Sequence, residues 1–373
     1  RHGSIAYNQR DIASAAGVFS PQHIGISNLS AHIALHHLTD NDIHLSIKKI
    51  AFTDKSGLQV KNLRFKVNAD KHQARLSDFQ LELPKSHLLL EDLIATYRTN
   101  EKGTLISETL QFEGGIKPSL ITLSDVACFA PILRKWNDAL YIDTHFSGTS
   151  TSARIHQLHF KTQSGSILLK ANAKASDWNR KLHWLANIET LRVSDEGVEQ
   201  IAANLGSKVK IPKEVLRLGN IYYKGVASGK GKSQIGTKGV LRTDAGNVEI
   251  DAHQNGKQLY AKVDTKGINL GKILDNAKLG IIAAHIIAQG TKEHLVAKGE
   301  IPLFDFNNYR FSNIRLDGSY NKGLIDGLAS IADPNINLQV AGKYSIPKKQ
   351  YEAQLNLAHL QPTVLGVKMA DNT

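Results

Sequence analysis

The chain is poorest in what most catalytic and metal sites need. It has one cysteine, Cys128, which excludes an internal disulfide and a cysteine metal cluster. Long hydrophobic runs are absent. The longest apolar stretch, "GIIAAHIIAQG" (280–290), is broken by His285 and falls short of the roughly 20 residues a spanning helix needs. A phosphate-binding loop is also missing. Gly231-Lys232-Ser233 offers the second half of G-x-x-x-x-G-K-[ST], but position 226 is valine and Gly225 stands one residue too early. The backbone N–H groups of such a loop must converge on one anion, so the spacing is strict. The segment reads instead as a hairpin between strands.

Other reactive arrangements fail in the same way. "SGTSTSAR" (147–154) has serines but lacks the G-x-S-x-G elbow. Asp275 and Glu293 lie in unrelated contexts and do not form a carboxylate pair. Trp136, Trp178 and Trp184 do not recur within a basic-aromatic ladder of the kind that stacks single-stranded bases. His32, His36, His37 and His44 are close in sequence. On a strand, however, His32 and His36 would sit about 13 Å apart, so solvated polar-face histidines are expected in place of a metal site. Cys128, beside Val126, Phe129 and Ile132, is expected to be a buried, inert thiol in an apolar helix. No catalysis and no cofactor are expected.

What the chain does have is alternation. Of its 373 residues 41% are hydrophobic, enough to bury a sizeable apolar surface, and its formal net charge is +12. The lysines are scattered, as expected of solvated strand faces and hairpin tips. Ile43, Leu45 and Ile47 share one face of a predicted strand. So do Leu63, Phe65 and Val67; Leu182, Trp184, Ala186 and Ile188; Leu259, Ala261 and Val263; Leu338 and Val340; and Leu355 and Leu357. The intervening positions are mostly charged or polar. This is the pattern of antiparallel sheet with one apolar and one polar face. "DKSG" (54–57), "QSGS" (163–166), "DAGN" (244–247), "QNGK" (254–257) and "YNKG" (320–323) supply the turns, with Asn255-Gly256 expected as a two-residue hairpin loop.

Helical segments are few. One is predicted after Ser124 as N-cap, with Pro131 interrupting it. A second starts at Ser194, with Asp195 and Glu196 in its first turn and Gly206 as its stop. A short turn follows Pro212, and a third helical site spans about 269–279. The starts near 124, 194 and 269, with a weaker copy at 357–366, suggest a repeated unit of several strands and a helix. The chain, beginning at Arg1 and ending in "KMADNT", is read as an internal fragment of one elongated repeating region, 1–373.

The expected fold is all-β: an elongated, curled antiparallel sheet with a few short helices. So few helices cannot cover an apolar face carried over so many strands. The sheet must either pair with itself as a closed sandwich or curl into a trough that holds something apolar.

Several stretches together resemble the AsmA-like superfamily, and within it the TamB-like proteins of the Bacteroidota type. They are "FTDKSGLQVKNLRFKV" (52–67), "LSDVACFAPIL" (123–133), "LGNIYYKGVASG" (218–229), "LRTDAGNVEID" (241–251), "GINLGKILDNAKLG" (267–280) and "IPLFDFNNYRFSNIRLDGSY" (301–320). The resemblance implies a β-groove that spans the periplasm from an inner-membrane anchor and conducts phospholipids to the outer membrane. It also implies the partner of a translocation and assembly module, an outer-membrane barrel of the assembly type. The N-terminal anchor and the barrel-contacting region are missing from the stretches matched. On this reading the apolar strand positions named above line the groove and meet acyl chains, and nucleic acid is not a partner. The alternative is a structural or adhesive β-repeat protein with a closed apolar core and a protein partner.

Overall fold

A computed structural model of the chain describes residues 3–9, 11, 15–39, 42–136, 138–204, 211–231 and 233–362. They form two compact units, residues 1–210 and 211–373. Both are all-β, and every strand pairing is antiparallel.

The first unit contains β1 (Gly3–Asn8), β2 (His23–Thr39), β3 (Asp42–Asp54), β4 (Gln59–Ala69), β5 (Gln73–Glu82), β6 (His87–Leu89), β7 (Leu93–Thr99), β8 (Leu105–Thr122), β9 (Ala139–Thr149), β10 (Ser152–Thr162), β11 (Ile167–Ser176) and β12 (His183–Val193). Strands follow one another as a meander. The short β6 and β7 share one place in the sheet, between β5 and β8. The second unit contains β13 (Ile221–Lys230), β14 (Gln234–Thr243), β15 (Gly246–Asn255), β16 (Gln258–Asn269), β17 (Leu279–Gly290), β18 (His294–Phe306), β19 (Tyr309–Asn321), β20 (Leu324–Asp333), β21 (Ile336–Ser345) and β22 (Gln350–Leu360). Each pairs with the next without a crossover.

In a meander alternate connections lie at the same edge. All the helical turns therefore gather at one edge of their unit: the 3-10 turns Leu123–Val126 and Pro131–Lys135, α1 (Asp195–Asn204), α2 (Lys213–Leu216) and α3 (Leu270–Leu274). The other edge carries only hairpin turns. Burial follows this division. Leu58, Val60, Leu83 and Cys128 form a core at the helical edge of the first unit, with Phe19, Phe52 and Val126 packed on it. In the second unit Ala284, Ile301 and Ile314 form a smaller cluster, in the halves of their strands nearer the helical edge.

Sequence details explain the caps. Asn269 Oδ1 accepts from the Lys272 N–H at 2.9 Å, and Ser194 Oγ accepts from the Gly197 N–H at 3.2 Å. The cap expected of Ser124 does not form. Ser124 lies inside the first 3-10 turn, after Thr122, and Pro131 starts the second turn where it was expected to interrupt a helix. Cys128 accordingly sits in the bend between two 3-10 turns and not in a helix. The third helix is shorter than predicted, ending at Leu274, because Asp275 adopts φ 57° and closes it with a left-handed cap. Gly206, Lys232 and the part of the fourth repeat beyond residue 362 lie outside the described residues.

The hairpins stand where the turn signals place them, with one shift. Asn255 pairs with Gln258, so the two-residue loop is Gly256-Lys257 and not Asn255-Gly256. Lys322 (φ 44°) and Gly323 (φ 92°) make the loop between Asn321 and Leu324. Positive φ at both central residues is the hairpin geometry whose twist matches the strands. The Gly-Lys-Gly-Lys-Ser stretch is a hairpin too: Lys230 pairs with Gln234 at the β13–β14 connection.

The sheet of the second unit curls around its apolar face, as the burial of its central strands shows. A flat sheet with nothing upon it exposes its two faces alike. In β18, Lys298 and Glu300 are exposed while the alternating Gly299 and Ile301 are buried. The curl stops short of closure. Only fifteen hydrophobic side chains among the described residues are buried. The accessible surface is 23816 Å². Two closed domains with the masses of these units would expose about 17,600 Å² together.

Candidate apolar furrow

The alternation read from sequence survives as a continuous face in the second unit. Cross-strand partners share a face, so the register can be followed strand by strand. Val263 pairs with Ile286, Ile286 with Gly299, Gly299 with Leu316, Leu316 with Ala329, Ala329 with Val340 and Val340 with Leu355. The next row on the same face contains almost only small residues. It runs Ala227, Thr237, Ala252, Ala261, Ala288, Ala297, Gly318, Gly327, Gly342, Ala353, one from each strand. The row beyond it turns large again, with Leu259, Leu295, Tyr320, Ile325, Tyr344 and Tyr351.

A row of small residues between two rows that carry larger apolar side chains at most positions from β16 to β22 is a furrow, its walls interrupted at Gly290, Gly299 and Ala329. Rows on one face lie about 7 Å apart, and strands about 4.8 Å apart, so the furrow runs for about 40 Å across the strands. Its floor has room. A Cβ built on Gly318 or Gly342 would meet its first neighbour only at 3.6 Å, and only Gly327 between them is tighter, at 3.3 Å. Its walls stay half open: Leu316 is 39% exposed and Leu355 68%.

Seven of the expected lining residues fall on this face. Ala261 lies in the furrow floor, Val263, Val340 and Leu355 in one wall, and Leu259 in the other. Leu338 and Leu357 pair with each other one row deeper. Sequence reading missed the small-residue row, because alanine and glycine carry little weight in an apolar alternation. Only the register aligns them.

In the first unit the face is continuous in pieces. Ile43, Leu45 and Ile47 pair with Ala69, Val67 and Phe65. The register then shifts, and Leu63 pairs with Ile50. Phe65 stacks on Phe79 with ring centroids 6.2 Å apart. Trp184, Ala186 and Ile188 pair with Ala175, Ala173 and Ala171. Leu182 has the right parity but precedes β12, outside the ladder, and is 39% exposed. A concavity of about 840 Å³ in this unit mixes Trp184 and Phe112 with Arg154, Lys174, Glu113 and His183. It is equally polar and apolar in character, unlike the furrow.

The polar face of the second unit is laced by cross-strand ion pairs: Lys238 with Asp251 at 3.2 Å, Lys298 with Asp317 at 3.2 Å and Lys343 with Asp326 at 3.7 Å. Asp264 is held below the usual carboxylate range chiefly by its hydrogen bond to His285. Two buried carboxylates clasp turns at the helical edges. Burial pushes Asp54 up, but donors from Ser56, Gly25 and Lys55 outweigh it, so the group ends below its ordinary value. Asp333 follows the same balance, with Ser312, Tyr309 and Asn335 as donors. Burial pushes the Cys128 thiol up, which leaves it inert.

No group of three or more His, Cys, Asp or Glu side chains able to hold a metal occurs among the described residues. His37 and His44 face each other across β2 and β3 with ring centroids 5.9 Å apart, both exposed beside Asp42. No helix among the described residues is long and apolar enough to cross a membrane. Comparison with protein-family models, with curated proteins and with solved structures finds no match.

Proposed function

We propose that the chain is a lipid-conducting segment of a TamB-like cell-envelope protein, in which acyl chains lie in the apolar furrow and headgroups stay at its open side. The observation that carries this reading is the furrow itself. Its floor of small residues crosses every strand of the second unit; from β16 to β22 its walls are mostly apolar, and at β13–β14 the Tyr223 side chain lies across it to reach Thr237. Its length of about 40 Å exceeds that of one acyl chain, which spans half of a hydrocarbon core about 30 Å thick. A slot that is mostly apolar, whose few polar groups, mainly hydroxyls, carry no charge, suits sliding rather than selective capture. It favours a lipid carrier over a closed adhesive module, whose apolar faces would meet each other. The full-length context follows the resemblance: an inner-membrane anchor, a periplasmic span, and delivery to an outer membrane carrying an assembly-type barrel. The role is non-catalytic and needs no cofactor.

The test is mass spectrometry of organic extracts of the chain purified without detergent. Phospholipid at one or more molecules per chain is the expected result. Val263→Asp places a charge in the furrow wall and Val67→Asp does the same on the apolar face of the first unit. Both sites are half-buried, so the fold is expected to survive and the co-purified lipid to fall. A folded, lipid-free wild type, or variants that keep the full complement of lipid, would sink the proposal.

A further inference from the structure

The hairpin edge of the second unit differs chemically from every other edge. Its turns carry Lys257, Lys292, Lys322, Lys348 and Lys349, and Lys230 ends the strand that enters the β13–β14 turn. All six are exposed. None has an ion-pair partner among the described residues, whereas Lys238, Lys262, Lys298 and Lys343, in mid-strand, are each matched by an aspartate. The one acid in these turns is Glu293. At the helical edge of the same unit acids match bases in number, and several are engaged: Asp275 takes Arg217 at 2.7 Å, Asp305 takes Arg310 at 2.7 Å, and Asp244 accepts from the Asn220 N–H at 3.0 Å, while Lys213, Lys272 and Lys278 have no ion pair among the described residues. The hairpin edge of the first unit is balanced too, with Asp70 beside Lys71, Glu101 beside Lys102, and Asp177 near Arg180 and Lys181.

Apolar side chains stand next to these lysines. Ile235 is 50% exposed, Ile325 42%, Tyr344 40%, Ile346 47% and Tyr351 84%. Ile346 shares its turn with Lys348 and Lys349. A line of unpaired ammonium groups with isoleucine and tyrosine between them matches the interfacial zone of a bilayer. Anionic headgroups meet the charge there, and amphipathic rings sit at headgroup level. A duplex nucleic acid would match the charge but leave the apolar side chains in water.

We infer that the hairpin edge of the second unit docks on an anionic lipid surface, lysine turns against the headgroups. The outer wall of the furrow, Ile325, Tyr344 and Tyr351, is the apolar row nearest that edge. The inference thus deepens the lipid reading by naming where lipid would enter or leave, yet it stands on different residues.

The experiment is co-sedimentation of the full chain with phosphatidylcholine vesicles, with and without phosphatidylserine, over a range of salt. Binding is expected only with phosphatidylserine and is expected to weaken as salt rises. Replacing Lys257, Lys292, Lys322, Lys348 and Lys349 by Gln should lower the partition about fivefold per lysine, and more than a hundredfold together. Lys71, Lys102, Arg180 and Lys181→Gln in the first unit removes a comparable charge and should change it little. Circular dichroism checks that both variants are folded. Three results overturn the inference: no preference for anionic vesicles, equal loss in the two variants, or tighter binding of duplex DNA through the same lysines. Co-purified lipid is unaffected by these substitutions if it lies in the furrow, so failure here and failure of the furrow are separately visible.

Discussion

The two units solve one problem differently. Each must keep an apolar face continuous across many strands. In the first unit the ladder is repeatedly reset: β2 and β3 alone shift register between Ser27 and Ser30, His32 and Ile33, and Leu35 and His37. The bulges return Ile50 to the face that Ile47 occupies, and they turn the strands towards a core at the helical edge. In the second unit β13–β14, β14–β15, β19–β20 and β20–β21 run without a shift, and the shifts of β15–β16, β16–β17, β17–β18 and β21–β22 all fall in the halves nearer the helical edge. There the face is ordered by register rather than by a core, and a row of small residues can persist across every strand. Bulges spread through the first unit break its face into pieces; confined to the helical halves of the second, they leave its hairpin half in one register, where the furrow lies.

The largest test of that contrast is Ile314→Ala. Ile314 lies in a buried cluster of the second unit, with Ile301 and Ala284, and its loss should cost about 2–5 kcal/mol. Leu355→Ala, at 68% exposure on the same face, should cost less than about 0.5 kcal/mol. Hydrogen exchange of β18–β22 reads both, because Trp136, Trp178 and Trp184 all lie in the first unit and report only on it. Equal costs would mean that the furrow wall is packed as a core.

Glycine substitutions separate the floor from the ends of the furrow. A Cβ on Gly239 would lie 2.4 Å from the Lys224 carbonyl and 2.7 Å from the Tyr223 hydroxyl. That ring crosses the Gly225–Gly239 pair to reach Thr237 Oγ1 at 2.5 Å. Gly239→Ala should therefore destabilise by about 1–3 kcal/mol through overpacking. Gly342→Ala, with its nearest neighbour at 3.6 Å, should be neutral. Thermal unfolding followed by circular dichroism distinguishes them, and loss of stability in Gly342→Ala would show the floor to be closed.

Asp333→Asn should cost about 1–2 kcal/mol at neutral pH, since a buried charged acceptor of several donors is replaced by a weaker one. The pH dependence follows from the depressed carboxyl. Its contribution is complete above the unfolded-chain value near 3.9 and is lost as pH falls through the lower folded value. The difference between wild type and variant should therefore shrink below about pH 4. A difference that stays constant down to that range would assign the effect to shape and not to charge.

Much of the fold was legible because alternation and turn chemistry are local. Period two placed the faces of Leu259–Val263 and Leu338–Val340, and "YNKG" placed a hairpin whose two positive φ angles only Gly and a tolerant neighbour supply. The misreadings share a cause. Ser124, Pro131 and the length of the third helix depend on whether one or two turns of chain fit over the sheet edge, and local sequence does not carry that. The furrow was half legible. Its walls are apolar residues at strand spacing, but its floor exists only as an alignment of Ala261 with Ala288, Ala297 and Gly318, which lie 57 positions apart along the chain from first to last (318 − 261). The lysine edge was unreadable for the same reason: scattered in sequence, its members meet only when alternate turns are brought to one side.

The smallest expected effect concerns the paired lysines of the polar face. Lys298 and Asp317 meet at 3.2 Å, but their side chains are 71% and 55% exposed. Screening and side-chain entropy reduce such pairs to about 0.5 kcal/mol or less. A double-mutant cycle of Lys298→Gln and Asp317→Asn should return a coupling of that size, and neither change should affect vesicle binding. The pairing then has a different consequence. A lysine held by an aspartate on the neighbouring strand is neutralised towards any outside anion, so the polar face, where only Lys224 and Lys266 among its mid-strand lysines lack an ion pair among the described residues, is quieter than the hairpin edge. Loss of vesicle binding in Lys298→Gln comparable to that from an edge lysine would remove this division and spread the charge-bearing surface over the whole face.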